Sequence, residues 1–333
     1  MTRWRKQTLW LVVLVARWGA ISSASVAEAA ELTYEDKLGR VVNVTIPVNR
    51  AVLLISYELL PTLKVWDKVV GVARWAYSND LMKAVRPDLA KSIPSVGDGT
   101  TINIEALLRL KPDVVITWTS RPDNVRFMEE KGLKVISVYP ESLKELYQVM
   151  KMHGRLFAKE KEMEASIAEM ERIFKLITDR VSKVPEGKKK KIIWLGGKPT
   201  TVACGVGVTN DILQLIGGVN PAAQILERNA DIPMERIIGW NPEVVFIWGN
   251  AAYDTASILG GSQWRSVSAI RDGQVYKAPS WSTWSPRLAP IALWMAMRTY
   301  PHYFRDINLD QVVDEFYRKN FGVSFKEVEG FEH

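Results

Sequence analysis

The stretch INIEALLRLKPDVVITW, residues 102–118, decides the fold because a similar stretch recurs later in the chain. IPMERIIGWNPEVVFIW, residues 232–248, repeats its order of isoleucine, glutamate, apolar helix, proline turn and buried strand. Glu105 and Glu235 lie 130 positions apart, and the prolines and final tryptophans of the two stretches keep the same spacing. An internal repeat of a helix followed by a strand predicts two similar α/β lobes.

Short runs of β-branched residues alternate with helix-like patterns along most of the chain. Continuous apolar strands of this kind are typical of parallel sheets that helices cover on both faces. The predicted strands form two groups, at residues 52–55, 69–73, 114–117 and 135–138, and at residues 191–195, 244–248 and 274–278. We therefore predict an α/β protein with two Rossmann-like lobes built on central, mainly parallel sheets.

A long helical stretch separates the two groups of strands. From Met163 to Val181, apolar residues recur at alternating spacings of four and three, with charged residues between them. This pattern puts one narrow apolar stripe on a helix, and Pro185-Glu186-Gly187 ends it. The sequence thus predicts one long rigid helix at residues 158–184, between an N-terminal lobe at 30–157 and a C-terminal lobe at 185–333.

The first residues have the composition of an export signal. A basic start precedes an apolar run at residues 9–16, and Ala27-Glu28-Ala29 has the small residues of a cleavage site. A membrane anchor is the alternative, but the eight apolar residues are far fewer than the ~20 that span a bilayer. We predict a signal peptide at residues 1–29, cleaved near Ala29. Cys204 is the only cysteine, so a periplasmic protein that is not a lipoprotein is the simplest interpretation.

The charge of the chain does not indicate a nucleic-acid partner. Removing the signal, with its four basic residues and one acidic residue, lowers the net charge from +7 to +4. Such a mild surplus, spread over roughly 300 residues, gives no basic surface of the kind that binds phosphates.

Two such lobes enclose a cleft, and ligands of parallel sheets bind beyond the carboxyl ends of the strands. The residues predicted there are mostly aromatic and basic, a lining that suits bulky, planar and anionic ligands. The candidates are Tyr57, Arg74, Trp75, Tyr77, Trp118, Arg121 and Tyr139 in the first lobe, and Lys198, Trp248, Trp281 and Arg287 in the second.

The loop SWSTWSPRLAP, residues 280–290, gathers two tryptophans and an arginine after the last predicted strand. We expect Trp281 and Arg287 to face the cleft and Trp284 to pack beneath the loop. Packing in a core is the alternative for each tryptophan, and a structural salt bridge is the alternative for Arg287.

The chain resembles the periplasmic substrate-binding proteins that deliver iron-siderophores, haem or vitamin B12 to ABC importers. The resemblance rests on VVGVAR at 69–74, VGDGTTINIEALLRLKPDVVI at 96–116, the connecting helix, and the pattern Trp-x-x-x-Ser-Pro-Arg at 281–287. It implies two lobes joined by a stiff helix, in a monomer that works with an ABC permease dimer of the inner membrane. It also implies that Glu105 and Glu235, one per lobe, meet arginines of that permease. The alternative is an acid that stabilises each helix N-terminus through the helix dipole.

An iron-siderophore suits this lining best among the ligands of that family, so the expected cargo is a chelated iron complex, with no cofactor. Vitamin B12-binding relatives have counterparts of Trp118 and Trp281, but Asp98-Gly99 replaces the tryptophan that they carry just before the Glu105 block. Cobalamin is therefore the second expectation. Haem ranks lower because no axial tyrosine or histidine stands out.

Bare metal binding and catalysis are both disfavoured. A transition-metal site needs several converging ligands, and none of the three histidines, His153, His302 and His333, lies at a predicted strand end. An exported nucleotide-dependent oxidoreductase would rest on Gly205-Val206-Gly207-Val208-Thr209-Asn210, which lacks the third glycine of the dinucleotide fingerprint. A structural or adhesive protein requires neither a cleft nor a pair of glutamates in register. We predict a binding protein with neither a metal site nor an enzymatic activity.

Overall fold

The computed structural model describes residues 30–98, 100–119, 121–328 and 330–331. The predicted signal peptide, its cleavage site and His333 lie outside these residues. In the described part of the chain, no helix is both long and apolar enough to cross a membrane.

The N-terminal lobe is built on a parallel sheet whose Val and Ile side chains are buried on both faces, as expected where helices cover both sides. Its strands are β1 (Ala30–Glu35), β2 (Val41–Ile46), β3 (Ala51–Leu53), β4 (Val69–Val72), β5 (Val114–Trp118) and β6 (Val135–Val138). Its helices are α1 (Leu60–Leu63), α2 (Asp80–Val85), α3 (Leu89–Ser92), α4 (Ile104–Arg109), α5 (Pro122–Glu130) and α6 (Leu143–Phe157). The sheet has the order β4-β3-β5-β6, and β1 and β2 form a separate antiparallel hairpin.

The C-terminal lobe follows α7 (Glu160–Val181). Its strands are β7 (Ile192–Leu195), β8 (Thr201–Ala203), β9 (Asn229–Asp231), β10 (Val244–Ile247) and β11 (Val275–Lys277). Its helices are α8 (Val208–Leu215), α9 (Met234–Trp240), α10 (Thr255–Leu259), α11 (Ser268–Arg271), α12 (Leu288–Thr299) and α13 (Leu309–Phe321). The sheet has the order β11-β10-β7-β8-β9, in which β11, β10 and β7 are parallel and β8 is antiparallel to both its neighbours. The predicted α/β class with two mainly parallel sheets is confirmed.

The long helix predicted from the apolar stripe is present as α7, with 22 residues. The stripe from Met163 to Val181 is buried, because α7 packs against α6 on one side and α12 on the other. One hydrophobic core therefore runs from the first lobe through α7 into the second. The helix α13 also packs against α1 and α7, so this helix of the C-terminal part lies against the N-terminal lobe.

The internal repeat becomes α4 followed by β5 in one lobe and α9 followed by β10 in the other. A helix that leads directly into a parallel strand begins at the carboxyl edge of that sheet and ends at the amino edge. Glu105 and Glu235 each lie in the first turn of their helix. The two glutamates therefore lie at the edge of the sheet where ligands bind in this class of fold.

Candidate ligand-binding cleft

The two lobes meet beyond the carboxyl ends of their strands. Tyr139, which follows β6, makes an edge-on contact with Trp284, which follows β11, with 4.5 Å between the ring centroids. The guanidinium of Arg228 lies 3.8 Å from the centroid of the Tyr139 ring and forms an ion pair with Glu141. These contacts join the two lobes beyond the carboxyl ends of β6 and β11.

Two of the tryptophans predicted for the N-terminal wall of the cleft are in contact with each other. Trp75 follows β4 and is 37% exposed, while Trp118 ends β5 and is half-buried. Their rings meet edge to face, with centroids 6.2 Å apart, an arrangement that fixes both rings and leaves part of Trp75 in solvent. Arg121, at the start of α5, is also exposed. All three residues were predicted for this wall. Trp75 follows β4, whereas Trp118 ends β5 and Arg121 follows it, and β3 lies between these two strands in the sheet.

Arg74 lies beside this aromatic pair, and its side chain is 64% exposed. Its Nε atom is 2.9 Å from Oδ2 of Asp98, whose side chain is fully buried. The other carboxylate oxygen of Asp98 accepts hydrogen bonds from the backbone N–H groups of Thr100 and Thr101, at 2.8 and 2.9 Å. Burial alone would raise the pKa of Asp98, but the hydrogen bond from the Thr100 hydroxyl, the two backbone hydrogen bonds and the charge of Arg74 lower it. Asp98 is therefore a charged, fixed partner for Arg74.

The two tyrosines predicted for this wall have structural contacts instead of open faces. The Tyr77 hydroxyl donates a hydrogen bond to the carbonyl of Ile93 at 2.8 Å. Tyr57 packs against the main hydrophobic core, and burial raises the pKa of its phenol. Both rings therefore offer less surface to a ligand than the sequence suggested.

Trp248 and Lys198 are the exposed residues predicted for the C-terminal wall of the cleft. Trp248 follows β10 and is 38% exposed, the counterpart in the repeat of Trp118. Lys198, in the turn between β7 and β8, forms an exposed ion pair with Asp231 at 3.2 Å. A lysine in such an exposed pair can exchange its partner at little cost.

The expectation that Trp281 and Arg287 face the cleft is wrong. Trp281 is 2% exposed and Arg287 is 0% exposed. The guanidinium of Arg287 lies 4.2 Å from the Trp281 ring and makes a bidentate contact with Asp80, at 2.7 and 2.6 Å. Glu58 lies 3.3 Å from the same guanidinium. The salt bridge that was the alternative for Arg287 is therefore what the structure contains.

This cluster is buried because each of its polar groups has a partner. Trp281 Nε1 donates to Asp80 at 3.0 Å, Arg287 Nε donates to the hydroxyl of Tyr317 at 2.8 Å, and the Ser285 hydroxyl donates to Glu58 at 2.6 Å. Burial alone would lower the pKa of Arg287, but the neighbouring Tyr317, Glu58 and Asp80 raise it. The arginine stays charged and cannot serve an incoming ligand without breaking these bonds.

The roles expected for the two tryptophans of the loop are exchanged. Trp281 is in the core, whereas Trp284 is half-buried and lies against Tyr139 at the edge of the cleft. Sequence reasoning also missed Glu58 and Asp80 as partners of Arg287, and Arg228 at the contact between the lobes. One signal was available for Glu58, because an acid inside the apolar run YELLPTL needs a buried partner.

The described residues contain no cluster of three or more His, Cys, Asp or Glu side chains that could hold a metal ion. His302 is exposed. His153 is fully buried in α6, where one ring nitrogen contacts the Val149 carbonyl at 2.8 Å.

Glu105 and Glu235 are both exposed. Neither carboxylate has an ion-pair partner within the described residues. The N-terminus of α4 already has a cap, since the Asn103 side chain accepts a hydrogen bond from the Ala106 N–H at 2.9 Å.

Comparison with known proteins identifies the class to which this fold and cleft belong. The family model described as "Periplasmic binding protein" matches residues 53–281, so the chain belongs to the periplasmic binding protein family. Members of this family are solute-binding proteins of ABC importers and not enzymes: they bind a small molecule and work with a cognate permease in the membrane.

Individual relatives cover nearly the whole chain. The molybdate-binding protein MolA of Haemophilus influenzae is 25% identical over 341 residues, which span 92% of this chain and 95% of that protein. The iron(3+)-hydroxamate-binding protein FhuD of Bacillus subtilis is 24% identical over 77% of this chain and 81% of its own length. The structure of Helicobacter pylori CeuE in complex with nickel and histidine superimposes with a TM-score of 0.80, at 24% identity, over 90% of this chain and 98% of that one. That last similarity shows the fold.

Proposed function

We propose that the protein captures an anionic metal chelate, namely a ferric siderophore, in the cleft between its lobes and presents it to an ABC permease. Trp75 and Trp248 carry this proposal, since each is more than a third exposed at a strand end of its own lobe. Large aromatic side chains are costly to expose and gain free energy by covering a planar ligand. Arg74, Arg121 and Lys198, which are exposed after strands β4, β5 and β7, supply positive charge in this proposal. Tyr139 completes the proposed lining.

Molybdate is the competing cargo, because the relative MolA is named for binding it. A bare oxyanion needs hydrogen-bond donors and positive charge, and it has no apolar face for indole rings to cover. The exposed tryptophans therefore favour a chelate, and the relative FhuD is named for an iron-hydroxamate.

Glu105 and Glu235 are proposed to dock the permease. Each carboxylate is exposed, lies at the cleft edge of its own lobe and is free to pair with a cation of a partner. Exposed interface charges of this kind mainly affect the rate at which two proteins associate and the way in which they are aligned. The proposed carrier is a periplasmic monomer released by cleavage near Ala29.

Titration of tryptophan fluorescence tests the cargo directly. The protein is titrated with ferric catecholate and hydroxamate siderophores, ferric citrate, cobalamin, haem and sodium molybdate. We expect a ferric siderophore to quench the fluorescence saturably. Trp75→Ala and Trp248→Ala should each weaken the affinity for it roughly tenfold or more, because each removes both the stacking contact and the area buried against the ligand. Tight binding of molybdate alone, or no binding at all, would refute the proposal. Mass spectrometry of protein purified from its native periplasm then identifies the natural ligand.

A further inference from the structure

Two buried polar atoms at the N-terminal wall of the proposed cleft, one in Asp98 and one in Trp118, lack a hydrogen-bond partner within the described residues. Oδ2 of Asp98 is buried and accepts no hydrogen bond, although Arg74 Nε is only 2.9 Å away. The two atoms therefore form an ion pair at hydrogen-bond distance, but the Arg74 N–H does not point at the carboxylate oxygen. Nε1 of Trp118 is buried and also lacks an acceptor. A buried polar group without a partner costs about 1–3 kcal/mol, so folded proteins seldom keep one without a reason.

These groups belong to one corner of the cleft. Trp118 contacts Trp75, the residue after Arg74, and the backbone N–H of Arg74 donates to the carbonyl of Gly97, next to Asp98, at 2.8 Å. Gly97 has a positive φ of 102°, and a Cβ atom there would lie 2.0 Å from the carbonyl oxygen of Thr101. The loop therefore needs glycine at this position, and its tight turn holds Asp98 against Arg74.

We propose that Arg74 and Trp118 bind the oxygen-rich, negatively charged edge of the ligand, and that Asp98 positions Arg74 for this contact. The inference rests on the function proposed above. The planar guanidinium matches a pair of adjacent oxygens, as in a catecholate or carboxylate group. The indole N–H of Trp118 donates to a further oxygen, and the exposed part of Trp75 covers the flat face of the same group.

Asp98 acts through Arg74 and does not itself bind the ligand. Its first carboxylate oxygen is occupied by Thr100 and Thr101, and its second lies on the arginine. Holding the guanidinium in place before binding reduces the conformational entropy that a long side chain loses on contact with the ligand.

The test measures the affinity of wild type and variants for a ferric bis-catecholate, ferric citrate, a neutral ferric trihydroxamate and sodium molybdate. Arg74→Lys keeps the charge but removes the planar guanidinium and its paired N–H donors. We expect this variant to bind the anionic chelates about tenfold or more weakly than the wild type. The neutral chelate should bind this variant as it binds the wild type. Trp118→Phe removes the N–H and should weaken the anionic chelates several-fold.

Trp294→Phe is the matched control. Nε1 of Trp294 is likewise buried without an acceptor in the described chain, but this residue lies in the C-terminal core, so its variant should keep wild-type affinity. Asp98→Asn retains an oxygen for the Thr100 and Thr101 amides and should weaken binding because Arg74 is no longer fixed. Stronger binding by Asp98→Asn would show that Asp98 only competes for Arg74 and would overturn its positioning role.

The outcomes separate this inference from the function on which it rests. If the wild type binds an anionic chelate and Arg74→Lys and Trp118→Phe bind it equally well, the inference is wrong and the proposed function stands. If the wild type binds none of the three chelates, both are wrong. Loss of affinity for the neutral chelate in Arg74→Lys would indicate general damage to the cleft and would also overturn the inference.

Discussion

Arg287 and Asp80 form a bidentate ion pair across 207 positions of the chain, with Nη1–Oδ1 and Nη2–Oδ2 distances of 2.7 and 2.6 Å. Asp80 begins α2 in the N-terminal lobe, and Arg287 precedes α12 in the C-terminal lobe. The pair therefore connects the lobes directly, in addition to α7. Both partners are buried. A change in the angle between the lobes that separates Arg287 from Asp80 would therefore leave two unpaired charges in the low-dielectric interior, which is costly in free energy.

Asp80→Asn should lower the free energy of unfolding by about 3–5 kcal/mol, because it leaves a buried guanidinium without its main counter-charge. Urea denaturation followed by circular dichroism measures the change. Asp306→Asn is the control, since Asp306 also accepts two hydrogen bonds from an arginine, Arg180, but on the surface, where solvent screens the pair. Equal effects of the two substitutions would contradict the structural role of the Asp80 pair.

Trp281→Ala should destabilise the protein by about 3–5 kcal/mol, since it removes a buried aromatic side chain and leaves a cavity. Ligand affinity of the folded protein should stay within about twofold of the wild type, because Trp281 offers no surface to the cleft. Trp284→Ala should do the reverse and change affinity more than stability, because this ring lies at the contact between the lobes. Thermal unfolding and ligand titration of both variants decide between these roles.

The stability of the protein should fall as the pH decreases from 7 to 5, in part through His153. Burial lowers the pKa of His153 to about 4 from a usual value of 6.5. In this window the unfolded chain takes up a proton that the native state does not, so protons favour unfolding. The contribution is about 2 kcal/mol between pH 7 and pH 5. His153→Phe should flatten the pH dependence of the unfolding free energy by that amount, and an unchanged slope would show that His153 does not titrate in this way.

The double variant Glu105→Ala, Glu235→Ala should abolish transport while keeping the affinity for the ligand, because both acids are exposed in the first turns of α4 and α9 and neither belongs to the proposed lining. Uptake by cells and binding by purified protein are measured in parallel. Glu160→Ala with Asp310→Ala is the control, since these acids are also exposed in the first turns of helices, α7 and α13. Loss of ligand binding in the first double variant would refute the docking role.

The mature protein should begin near Ala30. N-terminal sequencing or intact mass of the protein from a periplasmic extract measures this directly. Recovery of periplasmic protein that still carries residues 1–29 would contradict the predicted cleavage.

The sequence was sufficient to predict the architecture because the features that determine it are local and repeated. The helix–proline–strand block occurs in both lobes, and the apolar stripe from Met163 to Val181 specified α7 without reference to the rest of the chain. Hairpin β1–β2 and strands β8 and β9 were not predicted. β8 and β9 have three residues each, too few for a period of two to be recognised, and they are held by pairing with neighbours.

The cleft was predicted less completely because burial of a charged residue depends on partners far away in the chain. Trp75 and Trp248 follow strands and are more than a third exposed, as strand position suggests, whereas Trp118 ends its strand and is half-buried. Arg287 also follows the last strand, but Asp80 and Glu58 neutralise it in the core, and their spacing from it carries no periodic signal. The same reason explains why Asp98 was noticed only as a departure from relatives and not as the partner of Arg74.

The buried cluster also bears on the order in which the chain can complete its fold. Glu58 and Asp80 are buried by contacts that include Arg287, Ser285 and Trp281, all of which are synthesised after most of the chain. An isolated N-terminal half would contain two carboxylates in an apolar setting without their cation, a costly arrangement in a low dielectric. The lobes should therefore complete folding together, late and in one cooperative step that depends on contacts of long sequence separation. Fragments that end before Arg287 should fail to reach a stable native state.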